Sequence, residues 1–242
     1  MLNTVRIVNT YITETSINEV SSCLINNNSL KVAICNTNTI VRSYQDAELG
    51  KIINSFDIKT SDGFPIAKSS SILYKNNQGR VDGYNVFLST IREGLSKNTS
   101  HYFFGSDEHI LNKLEAQLKD MFPDINIKGS FSPPIGDYKE LIKEEYIKNI
   151  IKEKPDIVWV SLGFPKQELF IDLLQKKHSI KSNLVGVGAV FEWVAGTKIK
   201  APEFVANLGL EWVLRLIQEP KRLYRRYFID NSLFMYLITK QF

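Results

Sequence analysis

The sequence predicts an α/β domain: a mainly parallel, Rossmann-like sheet flanked by helices, followed by a C-terminal helical appendage. Three observations carry this expectation. Short apolar runs recur along the chain, glycine closes several of them, and longer stretches with helical spacing separate them. In such a sheet, ligands bind beyond the carboxyl ends of the strands. The turns after residues 35, 61, 105, 162 and 187 are therefore where a site is expected.

The elements follow in order. "LKVAIC" (30–35) reads as a buried strand, "AELGKIINSF" (47–56) as a helix end, and "FDIKTS" (56–61) as a second strand. In "VFLSTIREGLSKN" (86–98), Val86, Phe87, Ile91 and Leu95 share one helical side. "HYFFGS" (101–106) is a strand closing on glycine. Asp107 and Glu108 then open a helix whose stripe is Ile110, Leu111, Leu114 and Leu118, the acidic start suiting a positive helix N-terminus. "INIKGSF" (125–131) is strand-like and 138–154 helical. "DIVWVSLG" (156–163) is the clearest strand, and Pro165 starts the helix 165–177 at a position that tolerates proline. "NLVGVGAVF" (183–191) is a strand running into a glycine turn.

From Gly209 the character changes. Residues 1–208 read as the core, and 209–242 as an arginine-rich helical appendage broken near Pro220. Deletion of 211–242 is expected to leave the core folded.

The 242 residues suffice for a real core, and 43% hydrophobic with 23% charged residues is ordinary for a folded chain. A net charge of +4 lacks the basic bias of a nucleic-acid binder. Two cysteines make neither a disulfide framework nor a metal cluster. No basic-then-apolar leader opens the chain, and no window reaches ~18 uninterrupted apolar residues. A cytoplasmic protein is expected, meeting a membrane only at its surface.

Several stretches carry candidate chemistry. "TSDGFPIAK" places Asp62 and Gly63 at a strand end; Asp-Gly is first a turn signal, and a general base is the functional alternative. "SLGFPKQE" sets Gly163, Lys166, Gln167 and Glu168 at a strand-to-helix turn, where free N–H groups suit a phosphate or sugar; an ordinary βα turn is the plainer reading. "GVGAVF" holds Gly186 and Gly188 but lacks the third glycine of a dinucleotide fingerprint. In the appendage, Arg215, Arg222, Arg225 and Arg226 are interleaved with aromatics. Arg222, Arg225 and Arg226 lie within one helical turn, suited to a diphosphate or anionic lipid unless the helix is merely solvated. The three histidines have no metal-ligand spacing, and no Asp-x-Asp triplet occurs.

Taken together, "NTN" (36–38), the Asp62-Gly63 turn, "PDIVWVSLGFPKQE", "GVGAVFEWVAG" and "KAPEFVANLGLEWVLRLIQEPKRLYRRY" occur in the order found in the WecG/TagA/CpsF glycosyltransferases, and the chain resembles that family from about residue 30 to 230. The resemblance implies inverting transfer of a hexose (N-acetylmannosamine, its uronic acid or a relative) from a UDP-sugar to a polyprenyl-diphosphate-linked sugar. The setting would be bacterial cell-surface polysaccharide or teichoic acid synthesis, at the inner face of the cell membrane. It implies Asp62 as the base, and Asn38 and Gln167 as strand-end and helix-start site residues. It further implies arginines closing over the site at Arg215, Arg222 and Arg225 or Arg226, with no metal and no cofactor beyond the donor. Asn36, Gly63, Gly163, Lys166, Glu168, Gly186, Gly188 and Glu192 complete the expected substrate-binding set.

The chain departs from the family pattern at Phe64-Pro65, at "GSFSPP" (129–134), at Glu192 and at Lys200, all in sugar-facing loops. The rival classes are a nucleotide-cofactor oxidoreductase built on "GVGAVF" and a non-catalytic subunit of a polysaccharide assembly complex. The appendage also offers a surface for self-association into a homo-oligomer.

Overall fold

The computed structural model describes residues 2–202, 205 and 210–241, without the side chains of residues 211, 222 and 225–227. The chain opens with a hairpin, β1 (Thr4–Ile7) and β2 (Thr10–Thr13), paired antiparallel. There follow α1 (Ile17–Asn26), β3 (Lys31–Cys35), α2 (Thr37–Gln45), α3 (Ala47–Asn54) and β4 (Ile58–Ser61). The middle holds α4 (Phe64–Tyr74), α5 (Gly83–Gly94), β5 (Ser100–Gly105), α6 (Glu108–Met121), β6 (Asn126–Phe131) and α7 (Glu144–Glu153). Then come β7 (Ile157–Ser161), α8 (Lys166–His178), β8 (Asn183–Gly186) and the short α9 (Val190–Val194). The C-terminal segment is α10 (Glu211–Gln218), α11 (Pro220–Arg225), a π-helical turn (Arg226–Asp230) and α12 (Asn231–Gln241).

β3 to β8 form one six-stranded sheet in the order β4-β3-β8-β7-β5-β6, with every neighbouring pair parallel. Continuous apolar runs suit strands covered on both faces. Alternate residues face opposite layers. Ala33, Cys35, Val158, Val160 and Leu184 join one apolar cluster, while Val32, Ile34, Ile157, Trp159 and Val185 join the other. In the second layer Trp159 meets Phe87 edge-on at 4.8 Å, and Phe103 meets Phe191 at 5.6 Å. The Trp159 indole N–H donates to Nδ1 of the buried His101 at 3.2 Å.

Three expectations shift. The helix expected over 138–154 begins only at Glu144, because residues 137–143 are taken up by turn bonds such as Leu141 N–H to the Tyr138 carbonyl. The strand expected over 183–191 ends at Gly186, and the chain turns at Gly188 (φ 60°) into α9. The N-terminal hairpin, not anticipated, buries Val5, Ile7 and Ile12 beside the edge strand β4, where Lys59 N–H donates to Thr13 Oγ1 at 3.0 Å.

The C-terminal segment is not wholly separable from the core. α12 buries Phe234 and Ile238 in the same cluster as β3 and β7. Its Gln241 side chain clasps the hairpin, Nε2 donating to the Arg6 carbonyl at 2.7 Å and Oε1 accepting from Val8 N–H at 2.6 Å.

Candidate active site

β3 and β4 end in register, Cys35 opposite Ser61, and Asp62 N–H donates to the Cys35 carbonyl at 2.7 Å. Asn36 and Asp62 are therefore the first residues past two adjacent strands, which lie about 4.8 Å apart. Asn36 caps α2, its side chain accepting from Thr39 N–H at 3.3 Å. Gly63 has φ 108°, a value L side chains rarely adopt, and this bend separates Asp62 from α4. The half-buried Asp62 is thereby held at the carboxyl edge of the sheet. Turn former and candidate base are one feature.

β8 returns to lie beside β3, so its end stands on the same carboxyl edge. Gln167, at the start of α8, lies across Gly186: a Cβ there would stand 2.8 Å from Gln167 Nε2. That amide is fixed at both ends. Its oxygen accepts from Gly188 N–H at 3.0 Å, and its nitrogen donates to Glu168 Oε1 at 2.8 Å. Ser161 Oγ donates to the Gly188 carbonyl at 2.6 Å, tying the same two loops again. Gln167 is 4% exposed and Glu168 1%. Glu168 thus lies beneath the surface of the site and not on it, because α8 turns it under Gln167. Burial pushes its carboxyl up to about 7, against the hydrogen bond from Gln167, and Oε2 has no hydrogen-bond partner among the described residues. Gly163 (φ 76°) and the half-buried Lys166 border the same turn.

The C-terminal segment reaches this edge. Asn38 Nδ2 donates to Asp230 Oδ2 at 2.6 Å, and Thr37 Oγ1 donates to Asn231 Oδ1 at 2.6 Å. Arg215 of α10 stacks over Trp193 at 4.4 Å. Glu192 pairs with Lys198 at 2.8 Å, and Lys198 also pairs with Glu219 at 2.5 Å. Arg215 is thereby placed over α9. The side chains of Arg222, Arg225 and Arg226 lie outside the described residues.

Sequence reasoning missed Arg80. Val81 N–H donates to the Ser61 carbonyl at 3.0 Å, so Arg80 arrives beside the end of β4, with Nη2 3.2 Å from Asp82 Oδ2. Its only local signal was a lone arginine before a second Asp-Gly pair. Cys35, also at this edge, is no nucleophile: complete burial pushes its thiol far up. Among the described residues, no group of three His, Cys, Asp or Glu is placed to hold a metal ion, and no helix is long and apolar enough to cross a membrane.

A parallel α/β sheet with Asn36, Asp62 and the Gln167–Gly188 clasp along one carboxyl edge has the layout of an enzyme that binds its substrate there. The model of the glycosyl transferase WecG/TagA/CpsF family matches residues 3–242, and the chain belongs to that family. It is similar to the N-acetylglucosaminyldiphosphoundecaprenol N-acetyl-beta-D-mannosaminyltransferase of Bacillus spizizenii strain W23, at 30% identity over 179 residues, covering 74% of this chain and 67% of that protein. A protein of the same description from Bacillus subtilis strain 168 is 26% identical over 192 residues, 79% of this chain and 72% of that one.

Proposed function

We propose that this glycosyltransferase moves a hexose of the N-acetylmannosamine type from a UDP-sugar to a polyprenyl-diphosphate-linked N-acetylglucosamine, with inversion and without a metal. The observation that carries the reading is Asp62 next to Asn36 at the carboxyl edge of the sheet, the same edge that holds the Gln167–Gly188 clasp. The two relatives act, by their names, on N-acetylglucosaminyldiphosphoundecaprenol, which supports the acceptor class.

In this reading the acceptor hydroxyl oxygen attacks the anomeric carbon and the carbon–oxygen bond to UDP breaks. Asp62 takes the hydroxyl proton, and UDP leaves with the bonding electrons. Arg215 and the other arginines of the C-terminal segment offset the charge growing on the diphosphate. The segment also excludes water that would otherwise hydrolyse the donor. It exposes Ile217, Tyr224, Phe228, Ile229, Met235 and Tyr236, an apolar face suited to an anionic membrane surface where the lipid acceptor resides.

The oxidoreductase alternative loses its motif. In a dinucleotide fingerprint the glycines follow the first strand and open a long helix. Here Gly186 ends β8, the last of the six strands in chain order, its face is filled by Gln167, and α9 has five residues.

The test is Asp62→Asn, assayed for transfer from UDP-N-acetylmannosamine to a short-prenyl diphosphate N-acetylglucosamine. Loss of turnover by about 10²–10⁴-fold, with UDP binding retained, is expected for removal of a general base. Near-normal turnover would remove Asp62 from that role. The anomeric configuration of the product tests inversion, and activity in excess chelator tests metal independence.

A further inference from the structure

A cavity lies at the outer edge of the sheet, past the end of β4, the strand that leads into Asp62. It measures about 440 Å³ and lies between α4 and the loop 76–80, with Phe64, Lys68, Ser71, Asn77, Gly79 and Arg80 among its lining residues. That volume falls within the roughly 300–1,000 Å³ of small-molecule sites.

Its walls are held in place. Ser61 Oγ donates to the Gly79 carbonyl at 2.9 Å, and Val81 N–H donates to the Ser61 carbonyl at 3.0 Å. The Gln78 amide donates to the carbonyls of Thr15 and Gly79, each at 2.8 Å. The loop is thus pinned to the end of β4, the strand that carries Asp62. Within the cavity the surface is open: nothing stands within 4 Å of a Cβ placed on Gly79.

The lining has the chemistry of a phosphorylated sugar site. Phe64, two residues past Asp62, is 47% exposed and presents an aromatic ring. Lys68 stands four residues on, on the same side of α4, exposed and in no ion pair among the described residues. The exposed amide of Asn77 and the hydroxyl of Ser71 face the same space. An aromatic face with amides and hydroxyls suits a pyranose ring, and an ammonium suits a phosphate.

Position decides which substrate this cavity takes. A base must touch the attacking hydroxyl, and the anomeric carbon lies on the far side of that oxygen. A donor nucleotide over the carboxyl ends of β3 and β8 leaves the β4 side of the edge for the acceptor. β4 is the edge strand, and the cavity lies past its end, between the helix that follows Asp62 and the loop bonded to Ser61. We infer that the cavity between α4 and the 76–80 loop seats the acceptor, its terminal sugar against Phe64 and Asn77 and its diphosphate against Lys68. The inference rests on the transferase reading above and adds where the acceptor binds.

The experiment measures acceptor binding and transfer separately. Calorimetric binding of a short-prenyl diphosphate N-acetylglucosamine to the full chain should weaken about tenfold in Lys68→Ala, the loss of one charge-assisted hydrogen bond. In transfer assays Lys68→Ala and Phe64→Ala should raise the acceptor KM by a similar factor, leave the donor KM within about twofold, and be rescued by Lys68→Arg and Phe64→Tyr. An unchanged acceptor affinity overturns the inference, as does a donor KM that rises in parallel. If the wild type binds this probe but transfers nothing, the transferase reading fails, and the binding comparison still decides whether the cavity holds a phosphorylated sugar.

Discussion

Asn38 donates a 2.6 Å hydrogen bond to the carboxylate of Asp230, which stands 192 residues further along the chain. With Thr37 bonded to Asn231, the first turn of α2 grips the π-helical turn that precedes α12. The start of α2 therefore both stands at the carboxyl edge and anchors the segment proposed to close over it. Asp230→Ala removes one anchor. Trypsin should then cut faster in the stretch holding Lys221, Arg222, Arg225 and Arg226, while the far-ultraviolet circular dichroism of the core is kept. Cleavage at the wild-type rate would show that the bond does not hold the segment.

Phe234 of α12 is fully buried with Ile238 against the sheet. Phe234→Ala should cost about 3–5 kcal/mol, read as a lower midpoint in urea. A loss below about 1 kcal/mol would return the segment to the status of a detachable appendage.

Gly186→Ala tests the clasp between the loops after β7 and β8. The added methyl would stand 2.8 Å from an amide nitrogen that is held at both ends and cannot swing away. Overpacking of this kind costs about 1–3 kcal/mol. Weaker UDP binding should accompany the lower stability, since the same shift moves Gly188. Wild-type stability would mean that Gln167 yields freely.

Two buried groups make stability depend on pH with opposite signs. Burial disfavours the charge of Glu168 and pushes its carboxyl from the ordinary 4.5 up to about 7. The folded state binds more protons in that window, so stability falls as pH rises from about 4.5 to about 7. His101 is shifted by burial from 6.5 down to about 4 and holds fewer protons when folded, so its contribution is lost as pH falls from 6.5 to about 4. Glu168→Gln removes the first slope and leaves the second. Urea unfolding of this variant should show stability rising from pH 4 to 6.5 and then levelling. A continued fall toward pH 7 would place the effect on another group.

Much of this protein is local and therefore legible in its sequence. A strand such as Ile157–Ser161, buried on both faces, must be apolar throughout, and a helix such as Glu108–Met121 must repeat its apolar stripe. The turn at Asp62-Gly63 is equally local, and the order of the motifs pointed to its role. The hairpin at the N-terminus escaped because its strands are four residues long and gain their burial only from distant neighbours, β4 and the helices α2, α3 and α4. Arg80 escaped because a single backbone bond from Val81 to Ser61 brings it to the site. Glu168 looked like a surface ligand beside Lys166, and only the packing of α8 on the sheet turned it inward. The bond from Asn38 to Asp230 joins chain ends that no periodicity relates. Residue type and spacing determined which chemistry was at hand. The closure of distant segments on one sheet edge decided which side chains meet, because burial and hydrogen bonding there depend on neighbours far away in sequence.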